Sequence, residues 1–266
     1  RDRSDTYRDF TFRGGAYQLV GHRGWTIDET LASLQQDSSP ETAEVRARLE
    51  QAAQHSEQWY RHLPLQSCPP LEGCAEWYFE DLRHPEDGPY WWLSNLSLHF
   101  HEVDVPILHL GGWFDWFLDS TLRCFQGIQN QGMTETCRRN QRLIIGPWIH
   151  GPSEIGSSTV GELNFGPQAA FDLFAYRLQW YDYWLKGIAN GIMDGPAVRI
   201  FLMGANRWLE AETWPLPGIT YQPLYLGEGT GQTTTSLNNG SLTFDLPRED
   251  EPADRFLYDP ANPVES

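Results

Sequence analysis

The sequence predicts an α/β fold with a parallel sheet in the middle of the chain. Three observations carry this. Val105-Pro106-Ile107-Leu108-His109-Leu110 and Arg142-Leu143-Ile144-Ile145 are short apolar runs, each closed by glycine, the texture of strands buried on both faces. Each is followed by a helical stripe. Phe117, Thr121, Leu122, Phe125 and Ile128 recur along residues 116–131. Phe171, Phe174, Leu178, Tyr181 and Leu185 recur along 168–187 and read as an inner face. The order strand–helix–strand–helix is what crossover connections of a parallel sheet produce.

The flanks differ in texture. Residues 28–63 read as helical, with Leu49, Ala52, Trp59, Tyr60 and Leu63 near a 3.6-residue stripe. Pro40-Glu41 suits a helix start and Pro64 a stop. Residues 64–104 carry Pro64, Pro69, Pro70, Pro85 and Pro89 among aromatic clusters, so short helices and loops are expected. Pro167 precedes the helix at 168–187, and Gly187 and Gly191 follow it, the usual asymmetry of helix ends. After Pro196 the pattern becomes strand-like at 197–203, near 221–226 and near 241–245, with turn-rich stretches between.

The chain of 266 residues has 40% apolar residues, enough for a sizeable core, and a formal net charge of −17 from 19 basic and 36 acidic residues. No basic run is present to meet phosphates, which excludes nucleic acid and disfavours anionic membranes. No apolar stretch reaches the ~20 residues that span a bilayer. Residues 1–10 have no signal-peptide core and no initiator Met, so the expectation is a cytoplasmic protein whose true N-terminus lies upstream. Cys68, Cys74, Cys124 and Cys137 match no zinc spacing and read as free thiols. His99 and His101 alternate along the backbone, but the sequence reading finds no carboxylate or thiol to complete a metal site. No metal and no cofactor is expected. His22 and His55 read as surface residues.

Two polar residues sit just past the C-terminal ends of the two predicted strands, where ligands bind in open α/β sheets. Asp115 lies in GGWFDWF (111–117) and His150 in GPWIHG (146–151). A histidine serves as general base only when its tautomer is fixed, and a carboxylate on its second ring nitrogen does that. The spacing alone leaves alternatives open. Asp115 could cap the helix that begins at Trp116, and His150 could be an ordinary loop histidine.

A resemblance adds to this reading. RDFTFRGGAYQ (8–18), LPL (63–65), HPEDGPYW (84–91), VPILHLGGWFD (105–115), GPWIHG, GELNFGP (161–167), YDYWLKG (181–187), VRIFLMGANRW (198–208) and FLYDPANPV (256–264) follow one another. Collinear from end to end, they resemble the cocaine-esterase-like (CocE/NonD) hydrolases, a superfamily that also holds X-Pro dipeptidyl-peptidases and α-amino-acid ester hydrolases. The resemblance implies an α/β-hydrolase domain with a helical cap, followed by the start of a β jelly roll. The expected domains are a cap over 1–104, the C-terminal half of the hydrolase domain over 105–195, and a truncated jelly roll over 196–266. It implies that Asp115 is the triad acid and His150 the triad base, and that Phe117 lines the acyl pocket. Trp113 and Trp148 flank the two as candidate substrate contacts, with core packing the alternative for all three aromatics.

The sequence departs from that family in two ways. No G-x-S-x-G elbow occurs, and Ser153, Ser157 and Ser158 follow the histidine with no strand–elbow–helix around them. The expectation is a fragment whose nucleophile lies upstream of Arg1. Phe117 and Leu118 stand where the amino-acid ester hydrolases carry acidic residues, which points to a neutral, apolar acyl group. The expected function is therefore part of a serine acyl hydrolase acting on a small ester or amide. The alternatives are an X-Pro aminopeptidase and a non-catalytic binding module. Self-association is left open.

Overall fold

The computed structural model describes residues 5–35, 37, 39–151, 155–227 and 240–248. They fall into two units, divided at Leu216/Pro217.

The larger unit begins with helices. Residues 28–63 do not form one helix. They divide among α1 (Leu19–Ser33), α2 (Pro40–Gln54) and α3 (Ser56–Tyr60). The break before α2 is chemical. Pro40 has no N–H to continue a preceding helix, and the Ser39 side chain accepts from the Thr42 N–H instead. The irregular 64–104 stretch yields α4 (Glu76–Arg83) and α5 (Pro89–Trp92) with short 3-10 turns. Leu49, Ala52, Cys68, Leu71 and Tyr78 form the core of this helical region.

His22 is a correction. It reads as a surface residue but is 1% exposed. The Asp81 carboxylate lies 2.9 Å from its Nε2 and the Tyr17 hydroxyl 2.9 Å from its Nδ1. Its neighbour Arg23 is also buried, donating to the Tyr78 hydroxyl at 2.9 Å and to the Trp59 carbonyl. Buried polar groups of this kind persist where partners satisfy them. His55 is exposed.

The sheet follows. β1 (Leu108–Phe114), α6 (Leu118–Gln131), α7 (Glu135–Arg139) and β2 (Arg142–Ile149) form a parallel crossover. Both strands run further than their apolar stretches suggest. Gly111, Gly112 and Gly146 permit close approach rather than ending the strands. A Cβ on Gly112 would lie 2.0 Å from the Trp148 carbonyl oxygen, and one on Gly146 2.3 Å from the Trp148 ring. Two very short strands follow, β3 (Thr159–Val160) and β4 (Leu163–Asn164), paired antiparallel.

α8 (Leu173–Lys186) corrects the predicted inner face. Phe174, Leu178, Tyr181 and Leu185 are exposed, Phe174 by 80% and Leu185 by 77%. Leu173 and Trp180 are buried instead, and burial raises the pKa of Tyr176. The helix carries two apolar stripes, both at helical spacing, so periodicity could not choose between them. Its ends match expectation. The Asp172 carboxylate accepts from the Ala175 N–H, and Gly187 closes the helix at φ 70.

The chain then returns as β5 (Val198–Leu202), parallel to β2, and β6 (Arg207–Ala211), antiparallel to β5, giving the order β1-β2-β5-β6. So the strand texture after Pro196 starts inside this sheet. The β5–β6 hairpin turns through Gly204 and Asn206 at positive φ. One core packs Phe125 of α6 against Leu143, Ile145, Val198 and Ile200.

The smaller unit shows one antiparallel pair among its described residues, β7 (Tyr225–Gly227) with β8 (Ser241–Thr243). The FLYDPANPV motif lies outside the described residues. No disulfide joins the four cysteines, and Cys68, Cys124 and Cys137 are buried. Among the described residues, no helix is long and apolar enough to cross a membrane.

Candidate active site

Strand register brings Asp115 and His150 together. β1 and β2 pair residue by residue from Leu108↔Arg142 to Gly112↔Gly146. The register then shifts, and Phe114 pairs with Ile149. Residues 147 and 148 thus face residue 113 alone, a bulge on β2. One step beyond Phe114↔Ile149, Asp115 and His150 leave adjacent strands side by side. The 35 residues between them in sequence are the crossover.

The imidazole Nδ1 lies 3.1 Å from Asp115 Oδ1 and 3.2 Å from Oδ2. A carboxylate at this distance accepts from an Nδ1–H, the tautomer in which a neutral imidazole presents its lone pair at Nε2. The acid side chain is 7% exposed and the histidine 53%. Asp115 Oδ1 also accepts from the Phe117 backbone N–H at 2.8 Å. This is a local turn and not the helix cap left open by the sequence, since α6 starts at Leu118 with Phe117 as its N-cap and no side-chain cap bond. This turn fixes the carboxylate before α6 begins.

Phe117 packs edge-on to the His150 ring at 5.1 Å and meets Phe10 at 5.8 Å. His150 opens onto a groove of about 750 Å³. Phe117 lines it; Trp113 and Trp148 do not. Trp148 is fully buried, donates to the Ser157 carbonyl at 3.0 Å and packs against Phe171 and Trp208. Trp113 donates to the Phe201 carbonyl at 2.6 Å and joins the sheet core. Both tryptophans hold the sheet that carries the pair.

Sequence reasoning missed the groove's other wall. Trp25, Asp28 and Glu29 come from α1, and Phe10 from the short helical turn Tyr7–Thr11. The signal was present in the spacing of 21, 25, 28 and 29, one face of a helix. It was obscured because the predicted helix began at residue 28. The Asp9 carboxylate holds Phe10 in place, accepting from Ser120 and pairing with Arg123 at 3.2 Å.

Two weaker candidates resolve. The Ser157 hydroxyl bonds the Thr159 carbonyl at 3.0 Å, and Ser153 lies outside the described residues. A carboxylate does stand beside His99 and His101: Glu102 lies 2.9 Å and 3.6 Å from them, with His101 and Glu102 exposed and His99 half-buried. Among the described residues, no group of three or more His, Cys, Asp or Glu is arranged to hold a metal.

The chain matches X-Pro dipeptidyl-peptidase (S15 family) over residues 2–152, more than half its length. It matches the X-Pro dipeptidyl-peptidase C-terminal non-catalytic domain over 190–265. It is similar to cocaine esterase from Rhodococcus sp. (strain MB1 Bresler), 29% identical over 262 residues, covering 95% of this chain and 43% of the esterase. The chain therefore spans less than half the length of that relative. Among solved structures it is similar to an aminopeptidase from the marine sediment archaeon Thaumarchaeota archaeon, with a TM-score of 0.61 and 19% identity over 98% of this chain and 40% of that one. It is also similar to an α-amino acid ester hydrolase, with a TM-score of 0.53 and 22% identity over 81% of this chain and 32% of that one. These two support the fold; the match over residues 2–152 decides the family, and the chain belongs to the X-Pro dipeptidyl-peptidase (S15) family of hydrolases.

Proposed function

We propose that residues 1–266 supply the acid and base of a serine acyl hydrolase whose nucleophile lies outside this segment. The observation that carries this is the Asp115–His150 pair. Nδ1 sits 3.1 Å from a nearly buried carboxylate, and the imidazole opens onto a groove. In the reaction Nε2 removes the proton from the serine hydroxyl as its oxygen attacks the substrate carbonyl. Asp115 stabilises the imidazolium that forms. Collapse of the tetrahedral intermediate breaks the bond to the leaving group, which takes the proton from Nε2. Water, deprotonated by the same nitrogen, then releases the acyl group.

The domain arrangement belongs to the same proposal. Residues 1–104 form a cap that supplies one groove wall, 105–195 carry the pair, and 196–266 open a jelly roll once the β5–β6 hairpin has completed the central sheet. The match to a C-terminal non-catalytic domain over 190–265 supports the last part. Phe117 lines the acyl side of the groove.

A fluorophosphonate probe, which labels activated serines, tests the reading. The expected result is labelling of a longer polypeptide containing this segment, at a serine outside residues 1–266, and no labelling of the segment alone. Aryl-ester turnover by the purified segment would overturn the claim that its nucleophile lies elsewhere.

A further inference from the structure

A second concavity, of about 160 Å³, lies in the helical region and shares no lining residue with the groove beside His150. One face of α2 forms its side, where Arg48, Gln51, Ala52 and His55 recur at helical spacing. α3 adds Gln58 and Trp59, and the 3-10 turn after Cys68 adds Pro69 and Pro70. Ala52 and Pro70 are buried and make an apolar floor, with the half-buried Trp59 ring beside them. Trp59 is held in place: its carbonyl accepts from the buried Arg23, and its ring stands edge-on to His62 at 5.6 Å.

The rim is polar, and its fixed charge has one sign. No Asp or Glu lines the concavity, in a chain whose net charge is −17. Arg48 is anchored from one side, where Nη2 donates to the Glu72 carbonyl at 2.9 Å and meets the Cys74 sulfur at 3.7 Å. Its partners among the described residues are thus a carbonyl and a thiol, and its charge is not neutralised there. A guanidinium offers a carboxylate a paired, charge-assisted hydrogen bond. Imidazole keeps an N–H donor in either protonation state, and each glutamine amide has two. A wholly apolar ligand would desolvate these donors without return. The chain's overall charge opposes an anion, but exposed charges beyond about 8 Å are screened at physiological salt, so the adjacent guanidinium decides.

We propose that this concavity binds a small carboxylate with an apolar body. The carboxylate sits on the Arg48 guanidinium, with His55, Gln51 and Gln58 as further donors. The body lies against Trp59, Ala52 and Pro70, where leaving water favours it. The site stands apart from the Asp115–His150 pair and does not rest on the hydrolase reading.

Fluorine NMR of para-fluorobenzoate with the 266-residue chain tests it. Line broadening should give a Kd at least tenfold lower than that of para-fluorobenzyl alcohol, which has the same ring and no charge. Gln51→Glu sets a carboxylate beside the guanidinium at an exposed position. It should weaken the anion at least tenfold and change the alcohol by less than twofold. Arg48→Met should do the same. If loss of the Glu72 contact unfolds that variant, Gln51→Glu still decides the matter. Undetectable binding of the anion, equal Kd values for the two ligands, or anion binding that survives Gln51→Glu would overturn the proposal.

Discussion

Among the described residues, two of the histidine–carboxylate pairs invite comparison, and they are of nearly equal length. His150 meets Asp115 at 3.1 Å, and His22 meets Asp81 at 2.9 Å. Distance does not distinguish them; surroundings do. The His150 side chain is 53% exposed and borders a groove, while that of His22 is 1% exposed. Both ring nitrogens of His22 are committed, one to Asp81 and one to Tyr17. Asp81 further accepts from the Tyr90 hydroxyl at 2.7 Å. Burial raises the pKa of both tyrosines, so they stay neutral donors. The His22 pair is a closed knot that ties α1 to α4. Among the described residues, no partner is seen for the second nitrogen of His150, which is what the proposed catalytic role requires.

The contrast predicts opposite phenotypes, and the largest effect belongs to His150. In a longer polypeptide with hydrolase activity, His150→Ala should lower kcat by about 10⁴- to 10⁶-fold, with no loss of thermal stability. Near-normal turnover of a chromogenic ester would remove His150 from the reaction. Asp115→Asn should cost somewhat less, about 10⁴-fold, because the amide favours the wrong imidazole tautomer. A loss under tenfold would show that the carboxylate serves the turn at Phe117 alone.

The same change in the other pair should act on stability. Asp81→Asn leaves the buried His22 imidazole and the Tyr90 hydroxyl with a poorer partner, a loss of about 3 kcal/mol. Urea denaturation of the 266-residue chain reads it as a lower midpoint, and kcat in the longer protein should change by less than threefold. An unchanged midpoint with a collapsed kcat would reverse the assignment of the two pairs.

The difference between the pairs also explains what the sequence could disclose. Asp115 and His150 were legible because each ends an apolar run with glycines, and strand ends point at ligands in this fold class. His22 and Asp81 are 59 residues apart on helices with no such punctuation. Nothing local says that α1 turns this face inward. α8 failed for a related reason: both its stripes are apolar, and only the packed structure selects Leu173 and Trp180. Trp113 and Trp148 flank the pair in sequence but do not line the groove, because they sit inside the paired strands, bonded to the Phe201 and Ser157 carbonyls, while Asp115 and His150 lie just past the strand ends. The groove's second wall arrives from some 90 to 130 residues upstream, a distance that periodicity does not bridge.

The two pairs are nevertheless joined by rings. Phe10 lies edge-on to His22 at 5.8 Å and meets Phe117 at 5.8 Å, and Phe117 is edge-on to His150 at 5.1 Å. Phe10 is 5% exposed and Phe117 7%, so both contacts are dry. Aromatic pairs of this geometry contribute about 0.5–1.5 kcal/mol beyond their buried area. A double-mutant cycle of Phe10→Leu and Phe117→Leu, read by urea denaturation of the chain, should therefore return a coupling of about 1 kcal/mol. In the longer protein Phe10→Leu should raise KM a few-fold and leave kcat near its original value, since Phe10 shapes the groove without touching the imidazole. A coupling near zero would mean that the knot at His22 and the pair at His150 are independent, and the N-terminal helical region would then support the groove through the Asp9–Arg123 contact instead.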